Sequence, residues 1–443
     1  MNNPIIIIGG GFGGLCAAFE LAKRTRALGG REIIVLDRGE HHLYTPLLYE
    51  VATGYDPREA RKVAARSFED ELAGGIALSF DRLVHRRARH GLQIRGADVT
   101  GIDWERKEVI ISHEQRLPWS YLVLALGAET DFYDIPGLKE HAHQLKSLRQ
   151  ALAIRRHLRT LMLARKRGEE AHISVVIGGA GATGVEFAAE LGRFFEHAIR
   201  EGIISRSDVT INMVEATRRV LPMFNPRFSL WAKDRLERSC VKMYLDSCIK
   251  SVAKGKVVLM PRPLKAGESE EELVCEFRSE KQKEIEADIV MWTGGVRASQ
   301  ALAAWGLPCD RKGRVEVTAS CEVRDRENVY ALGDAAALLD PKKNQPVPAL
   351  AQAAIEEARV VAENIALAIS GGKKIVYSFP YLHSLVPLGA KYALADVNGH
   401  LFRGFPAWIV RQIADLRYLL RIISPLDALR VWWRGARVYT RND

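Results

Sequence analysis

Hydrophobic residues form several short uninterrupted runs along the chain, and two of these runs are followed by stretches of helical periodicity. The runs are rich in Ile and Val and predict buried strands of parallel sheets. They lie at residues 5–8, 33–36, 173–177 and 209–214. The stretches 15–23 and 185–195 predict the helices that follow the first and third runs. This order of strands and helices is typical of an α/β fold.

The first run ends in a glycine turn with the spacing GxGxxG at Gly9, Gly11 and Gly14. Glycine is needed because the turn is tight, because the backbone approaches a pyrophosphate, and because the helix packs closely on the strand. The helix N-terminus then offers N–H groups and partial positive charge to the phosphates. The next strand ends in Asp37, which can accept hydrogen bonds from a ribose. This unit predicts a dinucleotide-binding site.

A second turn of the same spacing begins at Gly179, and its following strand ends in Glu215. The separation in sequence between the turn and Glu215 is longer than the usual ~20 residues. A longer helix and loop between them would account for the extra residues. An acid at this place favours NADH over NADPH, because it accepts from a 2′-hydroxyl and repels a 2′-phosphate. Arg218 and Arg219 nearby leave NADPH open.

A short apolar strand ends in Gly333 and Asp334. This pair resembles the second fingerprint of two-dinucleotide-binding flavoproteins, in which the aspartate contacts the ribityl and pyrophosphate part of FAD. For that contact the strand must return to the first unit, so the segment between is predicted to be inserted, with crossings near 121–128 and 289–296. The predicted organisation is two Rossmann-like domains and a tail: FAD-binding 1–125 and 300–390, NADH-binding 126–299, and C-terminal 391–443.

Residues 349–369 have the composition of one long helix after this return. Its N-terminus would point toward the flavin, where the helix dipole could stabilise negative charge. Gln352 lies in the first turn, where it either positions a carbonyl acceptor or is an ordinary polar first-turn residue.

The C-terminal stretch 408–423 has apolar residues at helical spacing on one face, and Arg411, Asp415 and Arg421 fall away from it. Pro425 separates it from a second stretch in which two Trp stand among Arg residues, as suits a lipid headgroup boundary. The tail is therefore predicted to be an amphipathic helical membrane anchor. The alternative is that its apolar face packs on the protein's own core or on a second copy in a homodimer.

Composition and charge bear on whether the chain spans a membrane, which kind of partner it binds and whether it holds a metal. The 443 residues are 47% hydrophobic and 27% charged, as in an ordinary globular protein, and no apolar run reaches the 18 residues of a membrane span. The formal net charge of +10 favours an anionic partner, and an anionic membrane surface is preferred to nucleic acid because no nucleic-acid-binding module is present. No CxxC motif occurs, and His41 and His42 lack further ligands, so no metal site is predicted and these histidines are expected at a solvated loop end.

Eight segments together resemble the type II NADH:quinone oxidoreductases, the single-subunit, non-proton-pumping NADH dehydrogenases of respiratory membranes. The resemblance runs nearly end to end. The segments are GGGFGG at 9–14, TPLLYEVATG at 45–54, LVLALGAET at 122–130, LKSLRQALAIRRHL at 145–158, GGAGATGVEFAAEL at 178–191, WTGGV at 292–296, ALGDAA at 331–336 and ALAQAAIEE at 349–357.

The resemblance implies non-covalently bound FAD, NADH as electron donor, a membrane quinone as acceptor, and a peripheral location at the cytoplasmic face of a membrane. It places Glu186 near nicotinamide and flavin, and Gln352 at the quinone side. The family commonly has Gln-Gln or Gln-Glu where this chain has Glu356 and Glu357, so a carboxylate at 356 either assists quinone protonation or weakens quinone binding. The predicted cofactor-binding residues are Gly9, Gly11, Phe12, Gly13, Gly14, Asp37, Arg38, Pro46, Leu47, Ala125, Gly127, Gly179, Gly181, Thr183, Gly184, Glu215, Gly294, Gly295, Gly333, Asp334 and Ala351.

Two other functions are compatible with the same architecture. A sulfide:quinone oxidoreductase would need cysteines beside the flavin, and Cys16, in the first predicted helix, is expected to be simply buried. A nucleotide-sensing, membrane-bound flavoprotein would have lost quinone reduction through the change at Glu356.

Overall fold

The computed structural model describes residues 2–56, 65–84, 90–169, 172–262, 282–342, 344–378 and 383–439. The helices in these ranges are α1 (Phe12–Ala22), α2 (Leu48–Ala52), α3 (Ala65–Ile76), α4 (Phe80–Val84), α5 (Leu138–His141), α6 (Leu148–Lys166), α7 (Ala182–Arg200), α8 (Pro226–Arg238), α9 (Gln300–Ala304), α10 (Ala351–Ser370), α11 (Phe405–Ile422) and α12 (Pro425–Tyr439).

The strands of the first half are β1 (Ile5–Ile8), β2 (Ile33–Asp37), β3 (His41–Leu43), β4 (Ala77–Ser79), β5 (Leu92–Gly96), β6 (Val99–Asp103), β7 (Glu108–Ile111), β8 (Gln115–Pro118), β9 (Tyr121–Leu124), β10 (Ala128–Thr130), β11 (Ala142–His143), β12 (Ile173–Gly178) and β13 (Val209–Val214). Those of the second half are β14 (Val241–Tyr244), β15 (Ser247–Ala253), β16 (Lys256–Pro261), β17 (Lys283–Glu286), β18 (Ile289–Trp292), β19 (Val296–Ala298), β20 (Val315–Glu316), β21 (Val329–Ala331), β22 (Ala336–Ala337), β23 (Leu339–Asp340), β24 (Gln345–Pro346), β25 (Ser384–Pro387), β26 (Ala393–Val397) and β27 (His400–Gly404).

Two parallel five-stranded sheets organise the molecule. The first has the order β21-β9-β1-β2-β5, and the second has the order β11-β18-β12-β13-β14. All residues of β1 and β12 are buried, as expected for strands of a parallel sheet that is covered on both faces. In each sheet the strand that leads into a glycine turn lies at the centre, so the two turns occupy equivalent places.

The chain leaves the first sheet after β9 and returns to it as β21. Between these strands it builds the second sheet, so one unit is inserted in the other, as the Gly-Asp motif predicts. The two crossings pair as an antiparallel ladder in which Ala128 of β10 faces Ala298 of β19. The domain boundaries given above stay predictions.

The first part of the predicted C-terminal region, from residue 391, is an antiparallel hairpin, and the helices predicted in this region begin after it. Strands β25, β26 and β27 form an antiparallel sheet. Asn398 and Gly399 connect β26 to β27 with φ of 52° and 83°. An Asn-Gly pair with both φ values positive is the preferred two-residue hairpin loop, and this signal was present in the sequence.

The helices predicted after this hairpin are present as α11 and α12, separated at Pro425. One side of the pair joins the protein interior: residues from Tyr418 to Val431 share the core of the first sheet, and Val438 and Tyr439 share the core of the second. Their other side carries exposed apolar residues. No helix in the described residues is both long and apolar enough to cross a membrane.

Helix α12 packs on α3 at Gly75, and a substitution at this glycine tests the packing. A Cβ at Gly75 would lie 2.4 Å from the hydroxyl of Tyr439, which donates to the Leu72 carbonyl at 2.7 Å. We expect Gly75→Ala to displace α12 and lower the free energy of unfolding by about 1–3 kcal/mol, measured by chemical denaturation. Gly74→Ala is the control, because a Cβ there meets the movable guanidinium of Arg434 at 3.2 Å. An equal loss in both variants would contradict this docking.

Candidate functional site: two glycine turns and a buried acid cluster

Both glycine turns press against the end of a neighbouring strand. Gly9 has a φ of +107°, and a Cβ there would lie 2.3 Å from the carbonyl oxygen of Ala125. Gly179 has a φ of +96°, and its Cβ would lie 2.6 Å from the Cα of Gly294. Any other residue would combine an unfavourable backbone conformation with a clash against backbone atoms. The structure therefore brings Ala125 and Gly294 to the two turns, while their predicted role in cofactor binding stays a prediction.

The same equivalence holds where each helix begins. A Cβ at Gly14 would lie 1.8 Å from the carbonyl oxygen of the first glycine of its turn, and at Gly184 the distance is 2.0 Å. In contrast, nothing lies within 4 Å of a Cβ built at Gly11 or Gly181, the N-caps of α1 and α7, and neither helix has a side-chain cap. The free N–H groups of both helices thus face open space, which fits the pyrophosphate of a dinucleotide.

The acids at the ends of β2 and β13 hold the turns in place. Asp37 accepts from the backbone N–H of Gly10 at 2.6 Å, and Glu215 accepts from that of Ala180 at 2.7 Å. Glu215 also accepts from the N–H and the hydroxyl of Thr217, both at 2.9 Å. Each acid therefore has a structural role besides the predicted contact to a ribose.

The return strand brings Gly333 and Asp334 to the first turn. A Cβ at Gly13 would lie 2.2 Å from the side chain of Leu332, so α1 and the return strand are in direct contact. The N–H of Gly333 donates to the carboxylate of Glu357 at 2.5 Å, and burial raises the pKa of Glu357 to about 7. Burial also raises the pKa of Asp334, against the effect of the cation of Lys146.

The remaining predicted cofactor-binding residues lie in several different elements. Pro46 and Leu47 lie in a 3-10 turn that leads into α2, and Ala351 is the first residue of α10, whose N-terminus has no side-chain cap. Phe12 packs against aromatic rings, and Arg38 and Thr183 are exposed. Gly127 has a φ of +70°, and Gly295 lies beside the ring of Tyr133.

The three predicted catalytic residues lie on two helices. Glu186 is on α7, and burial raises its pKa to about 8 against the opposing effect of Arg411. Gln352 and Glu356 are on α10, where Glu356 lies 4.0 Å from Arg421 of α11. Among the described residues, no hydrogen bond or ion pair joins Glu186 to either of them.

His42 is buried rather than solvated, so the prediction of a solvated loop end is wrong for this residue. It lies in β3, and its ring nitrogens are 3.1 Å from the carbonyl oxygen of Gly10 and 2.7 Å from the hydroxyl of Tyr418. Phe12 and Tyr44 surround the same ring system. Residue Tyr418 of α11 is thereby linked to the first glycine turn, over a sequence distance that no local pattern could reveal.

Several charged residues gather between α2, α7 and α11, and of these only Glu186 was predicted as a site residue. We call Glu50, Glu186, Glu190, Asp415 and Arg411 the acid cluster. Four of its members, all except Glu186, line a cavity that is closed on one side by α11 and α12. Glu186 is linked to the other members through the charges of Arg411, which lowers its pKa, and Asp415, which raises it. The cluster therefore places carboxyls with raised pKa values, Glu186 and Asp415, beside one cation.

The chain aligns over nearly its whole length with known proteins. The chain is 27% identical to the type II NADH:quinone oxidoreductase of Mycobacterium tuberculosis, over 97% of this chain and 87% of that protein. It is 27% identical to the demethylphylloquinone reductase of Synechocystis, over 93% and 91% of the two chains.

The solved structure of NDH2 from Plasmodium falciparum superposes with a TM-score of 0.77 at 16% identity, covering 100% of this chain and 97% of that one, which shows a shared fold. Residues 3–358 match the family model of the pyridine nucleotide-disulphide oxidoreductases. Since that match spans most of the chain, the protein belongs to the pyridine nucleotide-disulphide oxidoreductase family.

Proposed function

We propose that this protein is an FAD-dependent NADH:quinone oxidoreductase that passes two electrons from NADH to a membrane quinone without pumping protons. The observation that carries the proposal is the presence of two equivalent dinucleotide turns, at 9–14 and 179–184, in one chain with a Gly-Asp return to the first. The names of the two relatives above, which the chain matches nearly end to end, support the reaction.

The first turn, with Asp37 and the Gly333–Asp334 pair, is assigned to FAD, and the second turn, with Glu215, to NADH. Bound FAD supplies the two-electron redox chemistry. The N-termini of α1 and α7, which have no side-chain caps, would hold the two pyrophosphates. Glu186, beside the second turn, would position the nicotinamide or relay a proton, and Gln352 at the N-terminus of α10 would orient the quinone carbonyl.

The sulfide:quinone alternative is disfavoured by the state of Cys16. This thiol is buried within α1, and burial raises its pKa to about 11. A nucleophilic cysteine works as the thiolate and needs a lowered pKa. Cys16 is therefore a packing residue, as expected from the sequence.

An assay on purified protein tests the proposal. We expect the protein to carry flavin absorbance, to lose it when NADH is added alone, and to sustain NADH oxidation when a soluble quinone is present. Protein that stays colourless after incubation with FAD would contradict the proposal. Reduction by NADH without transfer to quinone would favour the nucleotide-sensing alternative, and turnover with sulfide would favour the sulfide:quinone reaction.

Reciprocal glycine variants test which turn holds which nucleotide. Gly14→Ala and Gly184→Ala each place a methyl group within 2.0 Å of a carbonyl oxygen, so each opens its own turn. We expect Gly14→Ala to lower flavin content, and Gly184→Ala to keep the flavin but raise the KM for NADH at least about tenfold, or ~1.4 kcal/mol. Each variant is the control for the other. If Gly184→Ala lost the flavin and Gly14→Ala kept it, the assignment of FAD and NADH to the two turns would be reversed.

We further propose that the protein is peripheral at the cytoplasmic face of a membrane, held by the outer side of α11 and α12. Ile413 is 59% exposed and Trp433 is 60% exposed. Arg417 and Arg430 are also exposed on these helices, as suits contact with anionic lipid headgroups. The other exposed apolar residues of the pair are Phe405, Ile409, Leu420, Leu426 and Leu429.

The double variant Ile413→Glu, Trp433→Glu tests this surface. We expect it to bind vesicles containing anionic lipid at least about tenfold more weakly, since a buried apolar side chain contributes about 1.5–3 kcal/mol. Leu230→Glu is the control, because Leu230 is 69% exposed and belongs to a different helix, α8. Unchanged vesicle binding, with a dimer in sedimentation that the double variant dissociates, would instead assign the surface to a second copy.

A further inference from the structure

Arg411 of α11 is a cation held inside the protein. It is 6% exposed, its guanidinium donates to the hydroxyl of Tyr49 at 3.0 Å, and it lies 3.3 Å from the carboxylate of Asp415. Asp415 is 9% exposed and accepts from the hydroxyl of Tyr44 at 2.5 Å. Tyr44 and Tyr49 flank the Thr45–Leu47 turn on its two sides. The ion pair therefore ties α11 to both ends of that turn.

The surroundings of this pair are predominantly acidic. Glu50 and Glu190 are buried and line the same cavity as Arg411 and Asp415. Glu186 lies one helical turn before Glu190 on α7. The other groups of the cavity wall that can titrate are the exposed amine of Lys391 at its edge and the hydroxyls of Tyr44, Tyr392 and Tyr439. Arg235 of α8 is also close enough to Glu190 for their charges to interact, so a second cation faces this side of the cluster. Burial raises the pKa of both Glu186 and Asp415, so these two carboxyls retain their protons to higher pH than exposed acids do.

We propose that Arg411 is a positioning residue for quinone reduction: paired with Asp415, it sets the proton affinity of Glu186 and so makes the C-terminal helix part of the proton supply. This inference rests on the proposed function. NADH, one proton and a quinone give NAD⁺ and a quinol, so each turnover takes up one proton from water. The carboxyl of Glu186 would pass this proton on and be reprotonated from the cavity, with no net change in the protein.

The direction of each contribution follows from its charge. Burial raises the pKa of Glu186, the cation of Arg411 lowers it, and the anion of Asp415 raises it. Removing Arg411 alone therefore makes Glu186 harder to ionise, and removing Asp415 alone makes it easier. Removing both takes away one charge of each sign, so the two effects largely cancel.

The test compares the pH dependence of kcat for the wild type, Arg411→Met, Asp415→Asn and the double variant, with a soluble quinone in detergent. We expect the inflection to move up by about 1–3 pH units in Arg411→Met, down in Asp415→Asn, and to return near the wild-type value in the double variant. Arg411→Lys keeps the cation and should stay closest to the wild type. An infrared pH titration of the protonated-carboxyl band, assigned by its loss in Glu186→Gln, should shift in the same order without any turnover.

Arg155→Met is the matched control for removal of a buried guanidinium. Arg155 is 1% exposed, less than Arg411, and donates to the Gly54 carbonyl at 2.8 Å, outside the cavity wall. We expect this variant to lower the Tm while leaving the pH inflection unchanged. A merely structural role for Arg411 would give the same result, a lower Tm with an unchanged inflection.

Folded, flavin-containing Arg411→Met with the wild-type inflection and the wild-type carboxyl titration would overturn the proposal. If Arg411→Met does not fold, Asp415→Asn tests the proposal instead. A wild-type pH inflection and a wild-type carboxyl titration in Asp415→Asn would also overturn the proposal. A wild type that does not reduce quinone would refute the proposed function. In that case the infrared titration still measures whether Arg411 controls the proton affinity of Glu186.

Discussion

The close approach of a helix N-terminus to the end of a parallel strand is the constraint on which the rest of the molecule depends. At Gly14 and Gly184 the space for a side chain is already filled by a carbonyl oxygen, so the helix can be this near only without a Cβ. That proximity directs the first N–H groups of α1 and α7 into open space, where phosphate would lie. Because both sheets have this arrangement, each can hold a dinucleotide by the same kind of contact.

The acids at the ends of β2 and β13 extend this constraint to the neighbouring strand. Asp37 and Glu215 each accept a turn N–H, so each turn is fixed to two strands before any nucleotide binds. A carboxylate has about four acceptor positions, which leaves capacity for ribose hydroxyls on the same group. Preorganisation of the turn and recognition of the sugar therefore depend on one side chain, and loss of either acid would affect both.

Sequence reasoning succeeded where the determinant is local. Glycine spacing, apolar runs and helical periodicity predicted the strands β1, β2, β12 and β13, both turns, the return at Gly333 and the long helix α10, since each is written in a few adjacent residues. It failed where burial is decided by distant contacts. His42 follows a strand in a polar segment, and only its approach to Tyr418 of α11, far along the chain, removes it from water. The Asn398–Gly399 hairpin is a local feature as well, because an Asn-Gly pair favours the two-residue turn found there.

Arg411 and Asp415 show most clearly why the acid cluster could not be read from the sequence. The apolar stripe of α11 suggests that these charges face solvent, since a surface helix normally buries its apolar side. In the structure the side that carries the charges is buried, and Ile409 and Ile413 face outward. Such an inversion requires partners for the buried charges, and the apolar outer face would be further stabilised by a neighbour other than water. The ion pair with its tyrosine contacts meets this requirement, and a lipid surface would be such a neighbour. One helix would then join membrane contact to the proton chemistry of the site.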